Sequence, residues 1–161
     1  MKLSSSAPLV IGIGNTFRSD DGVGIWVAQR LREQFPPGIT VLEATGEGGA
    51  LLEAWKGVPF VILVDAMRSG AAPGTIHVFD AAFDFSHSKC FLGSSHAFGV
   101  SEAVELARAL NQLPPRLIIY GIEGENFDPG VGLSDVVARS AADVAERLLR
   151  EVHCWNAEGP A

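Results

Sequence analysis

Three side chains of metal-ligand type are spread along this 161-residue chain, each where a regular element should begin or end: Asp21, Asp65 and His96. Two hard oxygen donors and one borderline nitrogen suit Zn²⁺ or Ni²⁺ with positions left open, the arrangement of a catalytic rather than a closed structural site. Asp21 closes the run Gly12-Ile13-Gly14-Asn15-Thr16-Phe17-Arg18-Ser19-Asp20-Asp21 and is followed by Gly22-Val23-Gly24. Two glycines let the backbone turn sharply and approach something closely, and a pair of carboxylates then enters the next helix. An anionic pyrophosphate would need bare N–H groups at that place, and two negative charges oppose it. The stretch is suited to something positive. A plainer reading has Ser19 or Asp20 capping the helix and Asp21 complementing its dipole, which accounts better for one acidic residue than for two. Asp65 at a strand end could likewise serve the neighbouring backbone. His96 falls at the mouth of a helix, where the dipole disfavours the imidazolium and leaves the neutral form that ligates metals.

The elements that must position these residues follow from periodicity. Leu9, Val10 and Ile11 form an apolar run, and Val23, Trp26, Val27, Leu31 and Phe35 recur at helical spacing, so the glycine run is a strand-to-helix turn. Ile39 to Leu42 is a short strand ending at Glu43; Ala44 to Gly49 is a flexible acidic loop; Leu51, Leu52 and Trp55 mark a short helix. Phe60 to Val64 is a continuous apolar run, fitting a strand covered on both faces, and it stops on Asp65. Strand, helix, strand, helix, strand is the rhythm of a parallel sheet, which aligns the strand ends along one edge. Asp21, Glu43 and Asp65 are therefore expected near one another.

Thr75 to Phe79 alternates like a strand with one less buried face, and His77 within it reads as a surface or satisfied residue. Residues 81–95 have no clear period and carry several Phe, which predicts a loop folded over the core or a mobile flap; His87 receives no role. Val100, Ala103, Val104, Ala107 and Leu110 make a helical stripe, Leu117 to Ile122 a further buried strand, and Val137, Ala141, Val144, Leu148 and Val152 the apolar face of a last helix with Ser134 as its N-cap. The tail from Trp155 onward is expected to fray.

Composition bounds the partners. Residues are 47% hydrophobic and 19% charged, which suits one compact domain over residues 1–161 with its core between about 9 and 152. The net charge of −7, without a run of Lys or Arg, removes the electrostatic footprint for nucleic acid or an anionic membrane. No apolar run approaches bilayer length and the N-terminal residues lack a signal-peptide core, so a cytoplasmic location is expected. Cys90 and Cys154 lie far apart and fit reduced thiols. Oligomeric state leaves no mark on the sequence, and a monomer is the default.

Together, Gly12-Ile13-Gly14-Asn15 with Asp20-Asp21-Gly22-Val23-Gly24, the strand ending Val64-Asp65-Ala66, Ser95-His96 and Gly132-Leu133-Ser134 resemble the hydrogenase maturation endopeptidase family, over about Leu9 to Val152. The resemblance implies a three-layer α/β/α sandwich on a twisted, mostly parallel, five-stranded sheet. It implies an aspartic-type endopeptidase that removes a C-terminal extension from the large-subunit precursor of a nickel-iron hydrogenase after nickel insertion. The family's metal-contacting positions fall on Asp21, Asp65 and His96, with nickel supplied by the substrate and Zn or another divalent ion able to occupy the isolated protein. Glu43 matches an acidic position of the family pattern and is the candidate general base or water-positioning group. Two features depart from the pattern: Asp21 stands where many members carry a longer glutamate, and Glu43-Ala44-Thr45-Gly46-Glu47-Gly48 replaces an Asp-Gly-Gly-Thr loop and is taken as substrate-contacting.

Two other classes compete. One is a metal-sensing docking or chaperone protein for hydrogenase assembly that does not cut. The other is a nucleotide-binding α/β protein, which the first turn opposes because Phe17 occupies the place of the third glycine in Gly-x-Gly-x-x-Gly. No Ser or Cys sits in a nucleophile elbow, so a covalent mechanism is disfavoured.

Overall fold

The computed structural model describes residues 7–34, 37–81 and 99–158. Among these residues five strands form one sheet: β1 (Leu9–Ile13), β2 (Thr40–Ala44), β3 (Phe60–Met67), β4 (Ile76–Asp80) and β5 (Arg116–Glu123). Their order is β2-β1-β3-β5-β4, with every neighbour parallel except β4, which runs antiparallel to β5. Among the described residues four helices cover the sheet: α1 (Val23–Gln34), α2 (Gly48–Trp55), α3 (Val100–Ala109) and α4 (Asp135–Glu158).

Strand alternation sorts the core into two layers. Val10 of β1, Phe60, Ile62 and Val64 of β3, and Ile118, Tyr120 and Ile122 of β5 pack with α1 and α4. Leu9, Ile11 and Ile13, Val61, Leu63 and Met67, and Leu117 and Ile119 pack with α2 and α3 on the other face. The result is the three-layer α/β/α sandwich that the family resemblance implies. β3, buried along all its length, is the central strand that its unbroken apolar run predicts.

α1 lies almost against the backbone of the sheet. Gly12 and Gly24 face each other, and a methyl group on Gly24 would overlap the carbonyl oxygens of Ile13 and Val64. Gly24→Ala is expected to destabilise the protein by about 2 kcal/mol or more, because backbone rather than a flexible side chain must give way. A urea midpoint matching wild type would contradict this packing.

The last helix continues to Glu158, beyond the point where fraying was expected. Trp155 is held there by the ring of Phe60, centroids 4.9 Å apart, with the Arg116 guanidinium 4.3 Å over Phe60 and 5.9 Å from the Trp155 ring. Among the described residues no helix is long and apolar enough to cross a membrane. Cys154 is exposed and unbridged; Cys90 and the 81–95 expectation, Ala81 apart, lie outside the described residues.

Candidate functional site

The strand order reverses direction at β1: the chain moves outward to β2, then back across β1 to β3. Ligands of open α/β sheets bind where the strands on either side of such a switch point end. Asp21 lies just beyond the end of β1, and Asp65 near the end of β3.

The turn after β1 is built around its own backbone. Gly14 adopts φ +152, and a side chain there would overlap the Asp21 carbonyl. The Asn15 N–H donates to the Asp21 carbonyl at 3.3 Å and to Asp21 Oδ2 at 3.1 Å, which closes the turn and aims the carboxylate. Ser19 to Gly22 form a single 3-10 turn that runs into α1.

Asp20 and Asp21, adjacent in sequence, part company. Asp20 is fully buried, and its carboxylate accepts four hydrogen bonds: from the N–H of Glu125 at 2.9 Å, of Asn126 at 2.9 Å and of Ser134 at 2.8 Å, and from the Ser134 hydroxyl at 2.8 Å. Burial alone would push its pKa up, but the donations from Asn126, Ser134 and Glu125 outweigh it and hold the group below 3.8. Asp20 thus caps nothing and binds the loop between β5 and α4 to the first turn. Ser134 precedes α4 as expected, yet its hydroxyl proton goes to Asp20.

Asp21 is only partly buried and points elsewhere. Burial raises its pKa, against the opposing pull of the Asn15 N–H and Arg18. Asp65 is fully buried on the α2/α3 face of β3. Its Oδ1 accepts the Ala66 N–H at 2.8 Å, while Oδ2 has no hydrogen-bond partner among the described residues. Burial drives its pKa well above 3.8, the negative charge of Asp21 drives it further, and the Ala66 N–H opposes both. Two carboxylates that repel each other, one with a buried orphan oxygen, are the chemistry a divalent cation would complete. Among the described residues no three His, Cys, Asp or Glu side chains stand close enough to hold a metal ion. His96, the expected third donor, lies outside the described residues.

Glu43 does not join this pair. Along β2, Val41 packs with α1, so alternation places Glu43 on the α1 face, opposite to Asp65. There it accepts from Arg32 Nη1 at 2.6 Å and from Gln29 Nε2 at 2.9 Å. The strand ends do align; the side chains alternate, and that separates Glu43 from Asp65. The loop after β2 is also less free than expected: Glu47 caps α2, accepting from the N–H groups of Gly49 and Ala50, both at 2.8 Å.

Sequence reasoning gave no weight to Glu123. It is buried at the end of β5, where Oε1 accepts the N–H groups of Ser69 at 2.7 Å and Gly70 at 3.1 Å, and Oε2 accepts the Ser69 hydroxyl at 2.8 Å. It thereby fixes the turn between β3 and β4 at the same edge. An acidic residue closing an apolar strand was the available signal, the same one that marked Asp65. Beside that turn, Arg68 stacks 4.6 Å over the ring of Phe127.

A covered, mostly parallel sheet with two carboxylates at its switch point defines an open-sheet α/β protein of the three-layer kind. The comparisons give the particular family. The family model of HycI, hydrogenase maturation protease, matches residues 25–151, a span that holds Asp65 and His96 and begins just after the Asp21 turn. The chain is 25% identical over 146 residues to the hydrogenase 2 maturation protease of Escherichia coli, covering 88% of this chain and 87% of that protein. It is 27% identical over 155 residues to the hydrogenase expression/formation protein HoxM of Cupriavidus necator, covering 92% of this chain and 75% of the relative. The solved structure of the hydrogenase maturating endopeptidase HybD from E. coli superposes with a TM-score of 0.75 at 25% identity, over 91% of this chain and 92% of that one. The chain belongs to the hydrogenase maturation protease family and is an endopeptidase of that kind.

Proposed function

We propose that this endopeptidase removes the C-terminal extension of a nickel-iron hydrogenase large-subunit precursor, and that nickel already held by the precursor is what it recognises. Asp21 and Asp65, with His96, complete the coordination of that nickel when the two proteins dock. The observation that carries this reading is the fully buried Oδ2 of Asp65, without a hydrogen-bond partner among the described residues and set beside the charge of Asp21. A buried acceptor with nothing to accept is costly in a finished structure and is explained by a group that arrives with the substrate.

An amide resists hydrolysis because its carbonyl is a poor electrophile and water a poor nucleophile; a divalent ion supplies Lewis acidity to the first and acidifies the second. The chain's contribution is placement. The Asn15 N–H aims Asp21, the Ala66 N–H fixes one oxygen of Asp65 so that the other is presented, and the Asp20 clasp keeps the first turn against the loop from β5. Glu43, tied to Arg32 on the far face, is assigned no proton transfer.

The test is the mass of the precursor after mixing. A nickel-loaded precursor should lose its C-terminal extension, a nickel-free precursor should stay whole, and a His96→Ala variant of intact fold should cut neither. Binding without any mass change would move the assignment to a docking protein, and equal cleavage of both precursors would remove nickel as the signal.

A further inference from the structure

We infer that His77 is a further catalytic residue on the Asp65 face, delivering a proton to the departing amine, and that Glu123 positions it. The inference rests on the proposed cleavage reaction and adds to it a residue that the sequence left without a role.

The sheet register places His77 in line with the candidate site. Gly121 of β5 pairs with Asp65 of β3 on one side and with His77 of β4 on the other. All three belong to the face that packs α2 and α3, because Ile119, two residues back on that face, pairs with Leu63 and Phe79 of the same layer. That neighbouring row is wholly apolar. The Asp65-Gly121-His77 row is polar at both ends, and its middle member has no side chain to separate them.

Both ends of the row carry an unsatisfied atom. Asp65 Oδ2 and His77 Nε2 are the buried side-chain polar atoms without a hydrogen-bond partner among the described residues. Two such atoms stand at the two ends of one row, two strand spacings or about 10 Å apart on the same face, and each is a cost that a substrate lying across the row could relieve. His77 Nε2 stands 3.7 Å from Glu123 Oε2, too far for a hydrogen bond but close enough for a charge to be felt.

A purely structural ion pair explains this less well. Glu123 already receives three hydrogen bonds from Ser69 and Gly70 and does not need the imidazole to be satisfied. The dependence runs the other way: a carboxylate fixed by three donors is a rigid neighbour that keeps its Oε2 facing the imidazole. The ring is further held parallel to Phe79, with centroids 6.1 Å apart and 7° between planes. A histidine whose Nε2 is buried and has no hydrogen-bond partner among the described residues, on the face that holds Asp65, has the attributes of a proton-transfer group awaiting its substrate.

In the reaction, the water oxygen bonds to the carbonyl carbon and the carbon–nitrogen bond breaks. One water proton stays with the new carboxyl group, and the second passes through His77 to the amine nitrogen. This role fills the place that Glu43, on the opposite face, does not.

The experiment compares wild type, His77→Gln and His77→Ala in cleavage of the nickel-loaded precursor, with Ni²⁺ titration and thermal melts run alongside. Glutamine keeps the length and hydrogen-bonding capacity of the side chain but has no nitrogen that can take up and give back a proton at neutral pH. Both variants should cut on the order of 100-fold more slowly while binding Ni²⁺ as wild type does, and added imidazole should restore part of the rate to His77→Ala only. His77→Gln cutting within a few-fold of wild type would overturn the inference while leaving the proposed function in place. A wild-type protein that does not cut the nickel-loaded precursor would overturn both.

Discussion

Asp65→Asn should yield a protein that is more stable than wild type at neutral pH and slower in precursor cleavage by on the order of 10⁴-fold. Both effects come from one charge. In the free protein, burial and the charge of Asp21 raise the Asp65 pKa well above 3.8. The folded state therefore holds its proton at pH values where the unfolded chain has lost it. Where the folded state binds more protons, stability falls as pH rises. Wild-type stability is thus fullest below 3.8 with respect to this group and declines as pH rises from there through the folded-state value. Asparagine keeps the shape and the bond to the Ala66 N–H, and carries no charge to bury. Its melts should show a much shallower decline, with a residue left because Asp21 is also raised. Added Ni²⁺ should lift the melting temperature of wild type and not of the variant, since a ligand stabilises only the form that binds it. Identical pH slopes in the two proteins would show that Asp65 does not bury a charge.

Asp20→Ala is expected to cost about 3–5 kcal/mol and to abolish processing with it. The substitution leaves the N–H groups of Glu125, Asn126 and Ser134, and the Ser134 hydroxyl, facing an alanine methyl. Water cannot take the place of the carboxylate without opening the site, because Asp20 is fully buried. The pH dependence has the opposite sign to that of Asp65. The Asp20 pKa is depressed, so its contribution is present above 3.8 and is lost as pH falls through the lower folded-state value. A urea titration of Asp20→Ala with a wild-type midpoint would show the clasp to be ornamental.

Much of this was legible in the sequence, for reasons that differ by residue. The run Phe60 to Val64 could only be a covered strand, and helix periodicity around Val23 to Leu31 and Val137 to Val152 located the α1/α4 layer. Chain rhythm brought the turn after β1 and the end of β3 to one edge. What the rhythm does not carry is the face. Period two decides on which side of a sheet a residue stands, and it sends Glu43 towards Arg32 on α1 while Asp65 goes to α2 and α3. Nor does local sequence show a partner that is distant along the chain. Asp20 and Asp21 read as one acidic motif, but Asp20 answers to donors at 125, 126 and 134 and only Asp21 remains at the edge. His77 was passed over because its neighbours, Gly121 and Glu123, come from a strand that is joined late. Glu47 illustrates the reverse case: its partners are two and three residues away, so the cap was local and could have been read.

The clasp also sets an order of events. The bond between Asp20 and Ser134 spans 114 residues. On a ribosome that emits the chain from its N-terminus, the strands and helix that carry Asp21 are out long before their anchor exists. Closing so wide a loop is entropically slow and must wait for β5 and the start of α4. The edge that holds Asp21 therefore cannot close until β5 and the start of α4 are in place.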